Sequence, residues 1–190
     1  MRKLFLEARE LGRVLKNMHN IKKLGKKFKA KIEISKQGEV NISSKEKLQE
    51  YLIEKMLEAV SLGFSFNVAM QIEKTDYEFK KINIKDYVKA QNQERAKARL
   101  IGPQGKTKTT IEELSDCNVV LSNHTVAIIG LSNNVETALR AIESLLRGSR
   151  QANIFSYLER NRARLKALEE EEVEKFIEEE GVKKQSNHKK

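Results

Sequence analysis

From Arg99 the chain runs Arg99-Leu100-Ile101-Gly102-Pro103-Gln104-Gly105-Lys106-Thr107-Lys108-Thr109-Thr110-Ile111-Glu112-Glu113-Leu114. An apolar pair leads into two glycines spaced as GxxG. A helix-patterned stretch with Ile111 and Leu114 on one face follows at once. Glycine reaches backbone angles closed to other residues and lets a second backbone come close. A helix N-terminus presents unpaired N–H groups and a partial positive charge. With Arg99, Lys106 and Lys108 beside it, such a turn can clamp a phosphate backbone. A GxxG tetrapeptide by itself is also an ordinary turn, so its neighbours decide.

Those neighbours come in a definite order. Tyr77 to Tyr87 is strand-like, with Ile82 and Ile84 alternating, and Ala90 to Ala98 reads as the helix entering Gly102. Beyond Leu114 lie Asn118-Val119-Val120-Leu121, a polar turn at Ser122-Asn123-His124, and a second strand, Thr125-Val126-Ala127-Ile128-Ile129-Gly130. Asn133 to Leu146 then carries Val135, Ala138, Leu139, Ile142, Leu145 and Leu146 at helical spacing. Helix, GxxG, helix, strand, strand, helix resembles a KH domain, in which the GXXG loop holds four nucleotides of single-stranded RNA.

The first half of the chain repeats this layout. Residues 2–6 read as a short strand and Glu7 to Leu15 as a helix. Asn20 to Lys29 has Ile21, Leu24 and Phe28 on one face. Lys31 to Ser35 and Glu39 to Ile42 form a hairpin around Lys36-Gln37-Gly38. Ser43-Ser44 offers an N-cap to a long helix with Leu48, Tyr51, Leu52, Met56, Leu57 and Val60 as its stripe, and Gly63 closes it. A shift of 119 − 32 = 87 pairs Ile32 with Val119, Leu24 with Ile111, Ala30 with Cys117, Ile34 with Leu121, Leu48 with Val135 and Leu52 with Leu139. The same shift sets Leu15-Lys16-Asn17-Met18 against Gly102 to Gly105. Both glycines are missing, so the first module keeps the fold and loses the clamp. Its lysines, Lys22, Lys23, Lys26, Lys27, Lys29 and Lys31, make either a second RNA patch or a solvated helix face.

The net charge of +10 and pI of about 9.6 favour a polyanionic partner. No long apolar run, lipidation signature or signal-peptide core is present, which argues against a membrane partner, and the expectation is a cytoplasmic protein. Cys117 is the single cysteine and reads as a small buried apolar residue. His19, His124 and His188 are scattered, without metal spacing. No catalytic constellation or cofactor fingerprint stands out, so the expectation is a non-enzyme with no catalytic residues, no metal and no cofactor. After Gly148, Asn153 to Leu168 is helical, with Ile154, Phe155, Leu158, Leu165 and Leu168 apolar. Acidic runs at Glu169–Glu174 and Glu178–Glu180 follow, then a frayed basic tail from Gly181.

The expected fold is therefore α+β. It has two packed KH-type modules, each a three-stranded sheet with helices on one face, plus a C-terminal helix. The expected divisions are 1–74, 75–149 and 150–190.

Beyond the generic KH layout, further stretches carry a closer likeness. They are Gly63-Phe64-Ser65 with Ala69, Asp86-Tyr87-Val88, Thr110 to Leu114, and Ser156-Tyr157-Leu158-Glu159-Arg160 after Gly148. With them the chain resembles the archaeal KH-domain ribosome-assembly proteins, counterparts of the eukaryotic partner of the Nob endonuclease. The resemblance implies binding of single-stranded rRNA near the 3′ end of the small-subunit rRNA, in aid of pre-rRNA maturation. It implies partners among a Nob-type endonuclease, an rRNA dimethyltransferase and the alpha subunit of translation initiation factor two. The family usually carries a basic residue inside the loop, where this chain has Pro103-Gln104, and Pro103 has no N–H to donate.

The expected RNA site comprises Arg99, Ile101, Gly102, Pro103, Gln104, Gly105, Lys106, Lys108, Ile111, Val119, Val120 and Leu121. Gly102 and Gly105 admit the sugar–phosphate backbone, and Arg99, Lys106 and Lys108 neutralise phosphates. Ile101 and Ile111 wall an apolar groove floored near Val119 and Leu121, and backbone groups near Val120 read bases. The competing reading is a KH-fold scaffold for protein partners, to which the acidic helix and the loop-less first module belong.

Overall fold

The computed structural model describes residues 1–187; His188, Lys189 and Lys190, the end of the expected basic tail, lie outside the described residues. The first half folds as β1 (Arg2–Phe5), α1 (Ala8–Lys16), α2 (Met18–Lys27), β2 (Lys31–Ile34), β3 (Glu39–Ser43) and α3 (Lys47–Leu62). Helix α4 (Phe66–Met70), capped by Ser65 accepting from the Val68 N–H at 3.3 Å, and a single turn at Gln71–Glu73 lead into the second half. That half has β4 (Tyr77–Asn83), α5 (Gln93–Ile101), α6 (Lys106–Ser115), β5 (Asn118–Ser122), β6 (Thr125–Leu131) and α7 (Ser132–Leu146). Helix α8 (Gln151–Asn187) ends the described chain.

Each half builds a three-stranded antiparallel sheet with the last strand in the middle, β1-β3-β2 and β4-β6-β5. The duplication is therefore real, but its offset drifts. Ile42 and Ile128 are equivalent, facing Ile32 and Val119, at 128 − 42 = 86. The drift arises in the first hairpin, which spends one residue more between paired positions Ile34 and Val40 than the second spends between Leu121 and Val126. On the final helices the buried positions Ile53, Met56, Leu57 and Val60 match Ala138, Ala141, Ile142 and Leu145 at 138 − 53 = 85. The constant shift of 87 thus mispairs Leu48 with Val135. Leu48 is 66% exposed, and the residue in the place of Val135 is Glu50, buried at 5%.

The two sheets are buried differently. In the first, Val40 and Ile42 face the core while Lys31 and Glu33 on β2 face solvent. In the second both faces are covered. Val126 and Ile128 pack beneath α5, α6 and α7, whereas Ala127, Ile129, Phe79 and Val120 pack against the first module's core. This is why β6 reads as an unbroken apolar run rather than an alternation. Helix α3 is shared between the two layers. Its buried set, Ile53, Met56, Leu57, Ala59, Val60 and Leu62, is broader than one stripe, and Tyr51 of the expected stripe is 42% exposed. Removing a side chain the size of Ile129 from water contributes on the order of 2 kcal/mol. The inter-module face therefore stabilises both halves.

Three local expectations change. Helix α3 begins at Lys47 with Glu46 in the cap position, and no serine caps it. The Ser44 N–H instead donates to Glu50 Oε1 at 3.0 Å. Strand β4 stops at Asn83, whose side-chain oxygen accepts from the Lys85 N–H at 3.0 Å, so Ile84 sits fully buried in a turn rather than in the strand. Helix α8 runs through Gly181 to Asn187, where fraying was expected. One helical glycine costs only about 1 kcal/mol, too little to end a helix by itself.

Candidate nucleic-acid interface

Helices α5 and α6 meet at the Gly102–Gly105 turn. Gly102 has φ +72° and ψ 174°, Gln104 φ +54° and Gly105 φ +80°. Gly102 is required sterically, because a Cβ there would lie 2.0 Å from Thr107 Oγ1 and 2.8 Å from the Thr107 backbone nitrogen. A Cβ on Gly105 would meet nothing within 4 Å, so that face of the turn is open to an incoming backbone. Pro103 and Gln104 form the exposed tip, and exposed Lys106 begins α6 directly behind it. One open glycine, one packed glycine and a helix N-terminus give a turn whose shape and partial charge suit an anionic group on one side only.

The flanking residues divide in ways the sequence does not reveal. Arg99 does not face the opening: its guanidinium Nη2 donates to the Ser149 carbonyl. Lys108 is paired with Glu112 at 2.7 Å, and the other oxygen of Glu112 accepts the Val119 N–H at 2.8 Å. Lys106 has no ion-pair partner among the described residues, which leaves it as the free cation at the turn. Ile111 is fully buried and Val119 is 1% exposed, so both belong to the core and not to a groove wall. The helical period turns Ile111 inward, beneath α7. Ile101, 40% exposed at the end of α5, is the apolar side chain that does face outward.

Strand β5 is the edge strand of the second sheet and packs against α6, the helix that the turn begins. The Val119 N–H points away from β6 toward α6, so by the alternation of an antiparallel ladder the backbone groups of Leu121 share that side. The outward backbone near this edge is therefore that of Val119 and Leu121, while Val120 pairs inward with Ala127. Leu121 is half-buried and Val120 packs toward the first module. At the hairpin tip, burial and the nearby Lys97 and Lys85 push the His124 imidazole below its usual pKa. Burial pushes the Cys117 thiol up to about 11, as expected of an inert packed cysteine.

In the first module, α1 and α2 are joined by Asn17 alone, at φ −100° and ψ 14°. No glycine turn opens there. Exposed Lys22, Lys23, Lys26, Lys27 and Lys29 line the outside of α2 and its end, with Lys27 paired to Glu73. Arg13 on α1, Thr107 on α6 and Gln151 on α8 bear on the inter-module junction and the loop, and nothing in their sequence context marks them. Arg13 Nη1 donates to the carbonyls of Ser61 at 2.8 Å and Leu62 at 2.9 Å and to Ser122 Oγ at 3.1 Å.

Two sheets of the same strand order, the second module's helices on one face of its sheet, and a glycine turn between α5 and α6 define a tandem KH protein with one open loop. The model for a PNO1 KH module, a eukaryotic-type KH domain (KH-domain type I), matches residues 78–163. A KH domain-containing protein of Methanocaldococcus jannaschii is 33% identical over 162 residues, covering 82% of this chain and 71% of the relative. The pre-rRNA-processing protein PNO1 of Coccidioides immitis is 35% identical over 117 residues, 60% of this chain and 46% of its own length. The chain thus spans less than half of that eukaryotic relative. A chain in the crystal structure of the a/eIF2alpha–aDim2p–rRNA complex from Pyrococcus horikoshii superimposes with a TM-score of 0.78 at 31% identity, over 85% of this chain and 93% of that one. This chain belongs to the family of archaeal KH-domain proteins that includes the Methanocaldococcus jannaschii relative and Dim2p of Pyrococcus horikoshii, the latter 31% identical with 98% of its chain covered, and its second module matches the PNO1 KH model. Among the described residues no helix is long and apolar enough to cross a membrane.

Proposed function

We propose that this protein binds single-stranded RNA near the 3′ end of the small-subunit rRNA and assists pre-rRNA maturation in small-ribosomal-subunit assembly. The observation that carries the reading is the turn at Gly102–Gly105, open at Gly105 and backed by the N-terminus of α6, in a chain whose fold matches one from an rRNA complex. In this reading the RNA backbone lies against Gly105, Pro103 and Gln104. Lys106 neutralises a phosphate, a base rests on Ile101, and the outward backbone of Leu121 meets a base edge. The protein acts as a binding factor without catalysis of its own, in the cytoplasm. The alpha subunit of translation initiation factor two is the first partner to test, ahead of a Nob-type endonuclease or an rRNA dimethyltransferase. The exposed lysines of α2 add a second, weaker RNA contact.

The test is titration of an oligonucleotide from the 3′ end of small-subunit rRNA at two salt concentrations, against wild type and Pro103→Asp/Gln104→Asp. Wild-type binding that the two carboxylates abolish supports the loop. Equal binding by both proteins moves the RNA to the α2 lysines. No binding by either favours the scaffold reading, to which the closed Asn17 junction already lends one observation.

A further inference from the structure

The corner between α7 and α8 clasps the loop. Arg99, on the last turn of α5, reaches the Ser149 carbonyl with its guanidinium. In return Gln151 Nε2 donates to the Arg99 carbonyl at 3.3 Å and to Thr107 Oγ1 at 2.8 Å. One side-chain amide therefore bridges the end of α5 and the start of α6, the two walls that the turn joins. Thr107 is 3% exposed, and its side chain rests on Gly102, where a Cβ would lie 2.0 Å from Oγ1. The chain reaches this position through Gly148 at φ +112°, beside the Arg99 guanidinium. None of these groups lies at the open face by Gly105.

We propose that Gln151 is a positioning residue for RNA binding. Its amide fixes the separation of α5 and α6 and holds Thr107 under Gly102, so the turn keeps the shape that admits a phosphate backbone. Helix α8 thereby belongs energetically to the RNA site, although its first residue lies 151 − 105 = 46 positions beyond Gly105. The proposal rests on the loop reading above and deepens it. The attachment of α8 to the body is a separate matter, since buried Ile154 and Leu158 hold that helix to the second core. Loss of the amide therefore disturbs the turn more than the fold.

The test uses the full chain carrying Gln151→Ala, Thr107→Val, both together, or Thr107→Ser, titrated with the same 3′ oligonucleotide. Thr107→Val keeps the shape and leaves no buried hydroxyl, so folding is retained. Thr107→Val weakens binding by about fivefold, the worth of one lost hydrogen bond, and Gln151→Ala, which also loses the bond to the Arg99 carbonyl, weakens it by at least as much. The double variant is no weaker than Gln151→Ala alone, because the bond that Thr107→Val removes is already lost with the amide. Thr107→Ser keeps the acceptor and binds like wild type. The salt slope is unchanged in all four, because no phosphate contact is lost. Independently of RNA, the amide protons of Gly105 and Lys106 exchange faster in Gln151→Ala, while those of β6 do not. Binding by both single variants within about twofold of wild type, with unchanged loop exchange, overturns the proposal. If Pro103→Asp/Gln104→Asp leaves binding intact, the loop reading itself falls; faster exchange at Gly105 in Gln151→Ala still separates that failure from this one.

Discussion

The Arg13 guanidinium donates to the Ser122 hydroxyl at 3.1 Å, 109 positions away in sequence, and from the same nitrogen reaches the Ser61 and Leu62 carbonyls. A single side chain on α1 thus ties off the C-terminal carbonyls of α3 and touches the end of β5. Helix ends leave such carbonyls unsatisfied unless a partner is supplied. Arg13→Met keeps the apolar stem and removes the donors, so it should cost about 2 kcal/mol in urea unfolding. A midpoint equal to wild type would show that water replaces the arginine without loss.

The two loop glycines are unequal. Gly102→Ala drives a Cβ into Thr107, whereas Gly105→Ala meets open space and carries only the strain of φ +80°. Gly105→Ala should lower stability by about 1 kcal/mol and Gly102→Ala by more. Thermal unfolding of the pair ranks them, and equal losses would contradict the packing of Thr107 on Gly102.

Lys106 and Lys108 are two residues apart but differ in availability, since Lys108 is held by Glu112. Lys106→Ala should flatten the log–log salt dependence of RNA binding by about 0.7, the contribution of one single-strand phosphate. Lys108→Ala should change it much less. The reverse ranking would place the phosphate over the second turn of α6.

Glu50 accepts from the Ser44 N–H and the Met1 amino group, each at 3.0 Å, which together hold its carboxyl below its usual 4.5. A depressed folded pKa means the stabilisation is complete above the unfolded value. It is lost as pH falls through the folded one. Wild type and Glu50→Gln should therefore differ by a constant amount above pH 4.5 and converge below it. Parallel unfolding midpoints down to about pH 2 would mean that Glu50 is not the group that titrates.

Cys117 is buried, its thiol pushed up to about 11, with Sγ against Gly130. Aromatic disulfide reagents should label it only as fast as the fold opens. Labelling that is as fast in native as in urea-unfolded protein would contradict this burial.

Much of this was legible along the chain because local periodicity carries it. The GxxG turn, the hairpin at Gly38 and the C-cap at Gly63 are each fixed by a glycine at positive φ. The duplicated order of helices and strands shows in the spacing of apolar residues. The α3 stripe holds at Met56, Leu57 and Val60 and widens to Glu50, Ile53, Ala59 and Leu62, because a helix packed between two layers buries more than one face, while Leu48 and Tyr51 stay exposed. Ile111 and Val119 look like groove residues next to the loop, yet the period of α6 and the pleat of β5 turn them into the core.

The two KH-type layouts, the open turn in the second and the closed junction in the first follow from residue order alone, because they depend on glycine and on short-range patterning. Which cations are free and what braces the loop depend on how the helices pack. Lys108 is taken by Glu112, Arg99 by Ser149, and Gln151 spans α5 and α6. Hydrogen-bond partners are chosen by proximity in space, and the corner that brings Gln151 beneath the turn forms only when α8 folds back across the second module.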